Sequence, residues 1–150
     1  MAIQYQENGR IFTLHTDHST YQMKADSYGN LLHLYYGERT EGSMEYLLTF
    51  GDRGFSPNPY EAGDDRTYSL DALPQEYPYQ GSGDFRSPAL AVEQADKSYG
   101  LNLHYGGYEI SKGKYSLPGL PAKYGAGPED AETLKRRLTD QVSGLAVTLR

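Results

Sequence analysis

Carboxylates, guanidinium groups and imidazoles gather at a few places along this chain, and each place admits a definite chemistry. Glu76, in a QEYP stretch, lies close in sequence to Asp84 and Arg86 in GDFR. Two carboxyl groups at a suitable separation can serve as acid and nucleophile in a hydrolysis. Charged loop residues flanked by Tyr77 and Phe85 more commonly tie a loop down through hydrogen bonds and ion pairs, and that is the role expected here. Asp52 and Arg66 form a second charged group. By residue type alone they read as a loop salt bridge, between these same two residues. His15 and His18, in HTDH, have a spacing that metal sites use. On a strand, residues three apart point to opposite faces, so the two could not share an ion; a turn at Asp17 and His18 would weaken that argument. His33 and His104 fall in strand patterns and read as packed or surface residues. No metal ligand, cofactor or catalytic residue is assigned.

The elements that must hold these groups are strands. Ile11, Thr13 and His15 alternate with Phe12 and Leu14. In Ser19 to Ala25, Tyr21 and Met23 share a face opposite Thr20, Gln22 and Lys24. Tyr28-Gly29-Asn30 signals a turn, and Leu31 to Tyr36 is a continuous apolar and aromatic run expected to be buried on both faces. Their closeness predicts an antiparallel meander. Further strands are expected at Leu90 to Gln94, Leu101 to Tyr105 and Tyr108 to Ile110, the last two split by Gly106-Gly107. From Glu129 to Val142, the stripe Ala131, Leu134, Leu138, Val142 slightly favours a helix over the competing alternation. Leu145, Val147 and Leu149 alternate to the last residue with no closing turn, so the natural protein is expected to continue.

Between Gly51 and Pro88 the pattern changes. This stretch holds five prolines, several glycines and almost no alternation. Phe55, Tyr60, Tyr68, Tyr77, Tyr79 and Phe85 make it too aromatic for a disordered spacer, so a long ordered loop with a function is expected.

Bulk composition agrees with an all-β domain. The chain has 150 residues, enough for one core, with 15 Tyr, 17 Gly, 8 Pro, no Trp and no Cys. Tyrosine suits strands and half-wet surfaces, and Gly and Pro supply turns. With 14 Lys+Arg against 20 Asp+Glu, the net charge is -6. An acidic chain without a basic cluster is a poor ligand for nucleic acid or an anionic membrane. No apolar run approaches the length of a membrane span, and MAIQYQENGR lacks the apolar core of a secretory signal. The absence of cysteine suits a reducing cytoplasm.

Six phrases occur in an order that resembles one family: LLHLYYG (31–37), GDRGFSPNP (51–59), DDRTYSLDALPQEYP (64–78), GSGDFRSPAL (81–90), GKYSLPGLPAKY (113–124) and AETLKRRLTD (131–140). Together they resemble the N-terminal domain of bacterial family 36 α-galactosidases, across essentially the whole chain. The resemblance implies that residues 1–150 are a large antiparallel β-sandwich (a supersandwich) with a long functional loop, cut off before a catalytic (β/α)8 barrel. It implies that AETLKRRLTD is a strand, overruling the helical stripe. It also implies a parent enzyme that hydrolyses terminal α-galactosides such as melibiose and raffinose-type sugars by a retaining mechanism. The family's nucleophile lies in a Lys-Trp-Asp motif, which a chain without Trp does not contain, so the fragment alone is expected to be inactive.

The resemblance assigns a role to Asp52 and Arg66: reaching the galactose site of a neighbouring subunit in a homotetramer. A carboxylate can accept from two sugar hydroxyls, and a guanidinium offers a fixed fork of donors. Phe55, Asn58 and Tyr60 lie between them and are placed at outer sugar subsites, although burial of Phe55 as a loop anchor is an equally good reading. The expected partners are therefore the galactoside substrate, the parent's own barrel and other copies of the chain. A different class of function is a free-standing, non-catalytic carbohydrate-binding or assembly β-sandwich module.

Overall fold

The computed structural model describes residues 2–52, 54, 58–115, 118–120 and 130–150. Among these residues seven strands build two antiparallel sheets. The first is a meander of β1 (Ala2–Gln6), β2 (Ile11–His15), β3 (Ser19–Ala25) and β4 (Leu31–Glu38), in that spatial order. The second runs β5 (Leu103–Lys112), β6 (Glu132–Asp140), β7 (Ala146–Leu149). The all-β antiparallel sandwich expected from composition and from the resemblance is what the chain forms.

Alternation drives the packing. Phe12, Met23, Ala25 and Leu31 from the first sheet meet Leu103, Leu134 and Leu138 from the second in one buried cluster. Each of these side chains larger than Ala25 contributes roughly 1.5–3 kcal/mol by leaving water. Phe12 also lies among aromatic rings, with Tyr5 at 4.7 Å and Tyr108 at 5.1 Å between centroids. The sheets are further joined by Tyr105 N–H donating to Gly29 O at 2.7 Å. Gly29 is required there: its φ is 85°, and a Cβ would come within 3.0 Å of His104 Nδ1.

β4 is buried on both faces only in its first half. Leu31 points into the inter-sheet core, while Leu32 joins Ala62, Tyr68, Leu70 and Leu73 in a second cluster on the other side. Farther along, Tyr36 is exposed. The aromatic, proline-rich stretch thus folds back on the first sheet. It also covers the free edge of β4, where His33 N–H donates to Pro74 O at 2.7 Å and Glu76 N–H to Leu31 O at 2.8 Å.

Two expectations about elements need correction. Leu90 to Gln94 is not a strand: Leu90 makes one parallel bridge to Tyr79, and Gln94 begins a turn closed by Lys97 N–H to Gln94 O at 3.0 Å. Gly106-Gly107 does not split two strands but forms a bulge within β5, where the register to β6 shifts between Tyr105 and Gly107. The strand that the resemblance implied at AETLKRRLTD does form: pairing on both sides of β6 overrides the helical stripe, with Leu134 and Leu138 buried and Val142 left 95% exposed in the following turn. Strand β1 had no sequence signal strong enough to be read; its pattern of half-buried Ile3 and Tyr5 is modest.

Candidate functional site

The loop that carries Asp52 and Arg66 is positioned by what lies beneath it. Tyr68, two residues after Arg66, is buried, and its hydroxyl donates to Asp26 Oδ2 and accepts from Asn30 Nδ2 at 2.8 Å. Burial first, and then the bond to Asp26, pushes the Tyr68 hydroxyl far above its ordinary pKa. Asp26 Oδ1 meanwhile accepts from the backbone N–H groups of Tyr28 and Asn30, at 3.0 and 2.8 Å. The β3–β4 turn and the loop are thereby one hydrogen-bonded unit. Asp65 adds a local brace by accepting from Thr67 N–H and Oγ1 at 2.9 and 2.6 Å.

On this base the structure brings Asp52 and Arg66 together. Arg66 Nη2 donates to Asp52 Oδ1 at 3.3 Å and to Gly54 O at 3.2 Å, and Gly54 N–H donates to the same Oδ1 at 2.8 Å. The side chains are 51% and 63% exposed. An ion pair this open contributes at most about 1 kcal/mol to folding. What it does is hold two complementary polar groups at the surface in a defined relation. Among the described residues Asp52 Oδ2 and most of the guanidinium N–H groups have no partner.

Asn58 donates from Nδ2 to Asp65 O at 2.7 Å, which leaves its amide oxygen available. Tyr60 is 96% exposed at the start of the 3-10 turn Tyr60–Ala62. Phe55 lies outside the described residues. Close by in sequence, Tyr46, Leu47 and Phe50 are also exposed, and Phe50 stacks over Tyr68 with centroids 6.4 Å apart. The polar pair therefore belongs to a loop rich in exposed rings and aliphatic surface, the composition of contact surfaces rather than of a solvated rim.

The charged groups farther along serve the fold, as expected. Asp84 is 2% exposed at its side chain and takes bonds from Arg86 Nε and Nη2, each at 2.8 Å, and from Gln75 Nε2 at 3.1 Å. Burial pushes its carboxyl up, but the Arg86 and Gln75 hydrogen bonds and the Arg86 charge together outweigh this and hold it below the usual range. Arg86 reaches on to Leu70 O and Leu73 O, clamping the second hydrophobic cluster. Glu76 is spent elsewhere: both oxygens accept from Tyr21 OH, at 2.5 and 2.6 Å, and one accepts from Arg136 Nη1 at 3.3 Å, with His33 Nδ1 at 3.6 Å. Glu76 and Asp84 belong to separate networks.

His15 ends β2 and lies 2.9 Å from Thr20 Oγ1, while His18 sits in the exposed β2–β3 turn. The described residues contain no group of three or more His, Asp or Glu that could hold a metal ion.

Sequence reasoning missed a polar concavity of about 240 Å³ beside Asn58 and Tyr60, to which Glu61, Asn102 and His104 contribute. The signal was present in Leu101-Asn102-Leu103-His104. Both leucines are buried, so period two must turn Asn102 and His104 to the other face.

Comparison with known proteins agrees with the fold. The residue pattern of the glycosyl hydrolase family 36 N-terminal domain matches residues 29–150. The bifunctional alpha-galactosidase/sucrose kinase AgaSK of Mediterraneibacter gnavus is 55% identical over 149 residues, covering 99% of this chain and 16% of that protein. The solved galactosidase domain of AgaSK superposes with a TM-score of 0.93 over 99% of this chain and 20% of its own length. Alpha-galactosidase AgaB of Geobacillus stearothermophilus, at 43% identity, superposes with a TM-score of 0.88, again over 99% of this chain and 20% of that one. The chain thus spans about a fifth of the length of the relatives it matches. On its residue pattern, its identity to these enzymes and its backbone, the chain belongs to the N-terminal domain family of glycosyl hydrolase family 36.

Proposed function

We propose that this chain is the N-terminal domain of an α-galactosidase that hydrolyses terminal α-galactosides of the melibiose and raffinose type by a retaining mechanism in the cytoplasm. In that protein the domain precedes the catalytic barrel, which supplies both carboxylates. Its own part is to form an interface in a homotetramer and to extend Asp52 and Arg66 into the sugar site of a neighbouring subunit, with Phe55, Asn58 and Tyr60 at outer subsites. No cofactor takes part.

The observation that carries this reading is the exposed Asp52–Arg66 pair on a loop of exposed Tyr46, Leu47, Phe50 and Tyr60. A domain alone in water has no use for that combination, whereas a loop entering another subunit's cleft needs both apolar contact and free hydroxyl-binding groups. A solved variant of alpha-galactosidase AgaA from Geobacillus stearothermophilus holds raffinose and is 41% identical to this chain, which supports raffinose-type sugars as substrates.

The test is kinetic. In the full-length enzyme, Asp52→Ala and Arg66→Ala should each lower kcat/KM on raffinose by about tenfold or more, the worth of one charge-assisted hydrogen bond, with the tetramer intact. Unchanged kcat/KM in both variants overturns the assignment. The 150-residue chain itself should show no turnover of a chromogenic α-galactoside.

A further inference from the structure

The concavity beside Tyr60 lies outside the pair just discussed, and its chemistry is specific. On one wall is Glu61, in the 3-10 turn; on the other are Asn102, just before β5, and His104 within it. His104 Nε2 lies 2.9 Å from Asn102 Oδ1 and 3.6 Å from Glu61 Oε1. The imidazole thereby spaces an amide and a carboxylate across the opening. With Oδ1 turned to the imidazole, the Asn102 NH2 group is free to donate. Among the described residues no hydrogen bond ends on the Glu61 carboxylate. Asn58 contributes a free amide oxygen, because its NH2 group is bound to Asp65 O. Ser82, bonded to Tyr79 O at 3.0 Å, closes the floor.

These groups share one preference. Planar amides and a carboxylate set around a small cup bind vicinal hydroxyls in pairs, one donating and one accepting. The exposed Tyr60 ring at the rim offers a flat apolar face to the C–H side of a saturated ring. A volume of about 240 Å³ holds one such ring and not two. Glu61 brings negative charge and no Lys or Arg lines the cup, so a phosphate or carboxylate ligand is disfavoured.

We infer that this cup is a binding site for one neutral hexopyranose ring, built from Glu61, Asn102 and His104 with Asn58 and Tyr60 at its edge. The inference rests on the preceding functional reading only for Asn58 and Tyr60. Its three wall residues are independent of Asp52 and Arg66.

The experiment is an NMR titration of the 150-residue chain with methyl α-D-galactopyranoside, raffinose and, as a contrast, inorganic phosphate. Binding should move the Asn102 and Asn58 side-chain amide signals and the His104 ring signals, saturating with a dissociation constant on the order of millimolar. Phosphate should leave them still. Glu61→Gln keeps the shape and removes the charge, and Asn102→Ala removes the donor; each should weaken binding by about tenfold while the remaining backbone spectrum stays in place. Asp52→Ala should leave these shifts unchanged, which separates failure of this site from failure of the neighbouring-subunit assignment. The inference is overturned if neither sugar moves these signals, if phosphate moves them as strongly, or if both folded wall variants bind as well as the parent chain.

Discussion

At the scale of single residues, most of the polar chemistry in this domain is committed to tying the loop down, and little is left over. Tyr68 is the clearest case. Its hydroxyl satisfies Asp26 and Asn30 at once, both of them buried. Tyr68→Phe keeps the ring but strands both partners, and should cost about 1–3 kcal/mol, read as a lower urea midpoint with an unchanged slope. Asp52→Ala and Arg66→Ala in the isolated chain should change stability by no more than about 0.5 kcal/mol, because an exposed pair supports little. That contrast distinguishes groups that build the loop from groups the loop presents. The sequence placed Asp52, Arg66, Asn58 and Tyr60 in one stretch, and the structure sets Asp52 on Arg66, the pairing their charges alone suggest. It could not show Glu61, Asn102 and His104 meeting, because His104 comes from a strand distant in sequence and residue type alone does not reveal what faces it.

At the scale of elements, the two sheets are joined by a charge that an apolar pattern does not announce. Arg136 occupies an inward position of β6 between Leu134 and Leu138, beside Met23 and Glu76. Its Nε is buried with no hydrogen-bond partner among the described residues. Both Arg136 and Glu76 side chains are 10% exposed. Arg136→Met should therefore destabilise the chain by about 3 kcal/mol by leaving Glu76 uncompensated, and the double variant with Glu76→Gln should recover part of that loss. Equal midpoints for the single and double variants would show that the two charges are not coupled. The same position explains why β6 was hard to read. With Arg136 on the inner face and Thr133 also buried, strand alternation was blurred and a four-residue stripe competed with it. By contrast β2 and β3 were legible because Phe12 and Met23 stand directly opposite each other in register, inside clean alternations. The strand expected from Leu90 to Gln94 failed for the opposite reason: its residues alternate, but among the described residues its one bridge is Leu90 to Tyr79.

At the scale of the whole molecule, stability should have a floor in acid and a ceiling in alkali. Asp84 and Asp140 are both held below the usual carboxylate range: burial raises each, and hydrogen bonds outweigh it, from Arg86 and Gln75 at Asp84 and from Ser143, Val142 and Asn102 at Asp140. Their contribution is present above the unfolded value of about 3.9 and is lost as pH falls through the lower folded values. The tyrosines act in the other direction. Burial is the first cause that raises Tyr21, Tyr68, Tyr79 and Tyr105, the last two to about 12. Their contribution is complete below the unfolded value of about 10 and disappears as pH climbs from there toward the folded values. Urea midpoints measured across pH should be flat between about 5 and 9 and fall on both sides. A midpoint that keeps rising past pH 10 would contradict the burial of these hydroxyls.

The tyrosine network also gives the domain an optical reporter. With 15 Tyr and no Trp, the emission excited in the tyrosine absorption band comes from phenol rings. Among the described residues Tyr21, Tyr68 and Tyr99 donate their hydroxyls to carboxylates of Glu76, Asp26 and Glu93. An excited phenol is a much stronger acid than one in its ground state, so a carboxylate at hydrogen-bond distance takes its proton and quenches the light. Tyr21–Glu76 and Tyr68–Asp26 both span the contact between the loop and the first sheet, so lifting the loop should brighten these two rings, and unlabelled protein should signal the opening of the Tyr68 anchor by a gain in tyrosine emission.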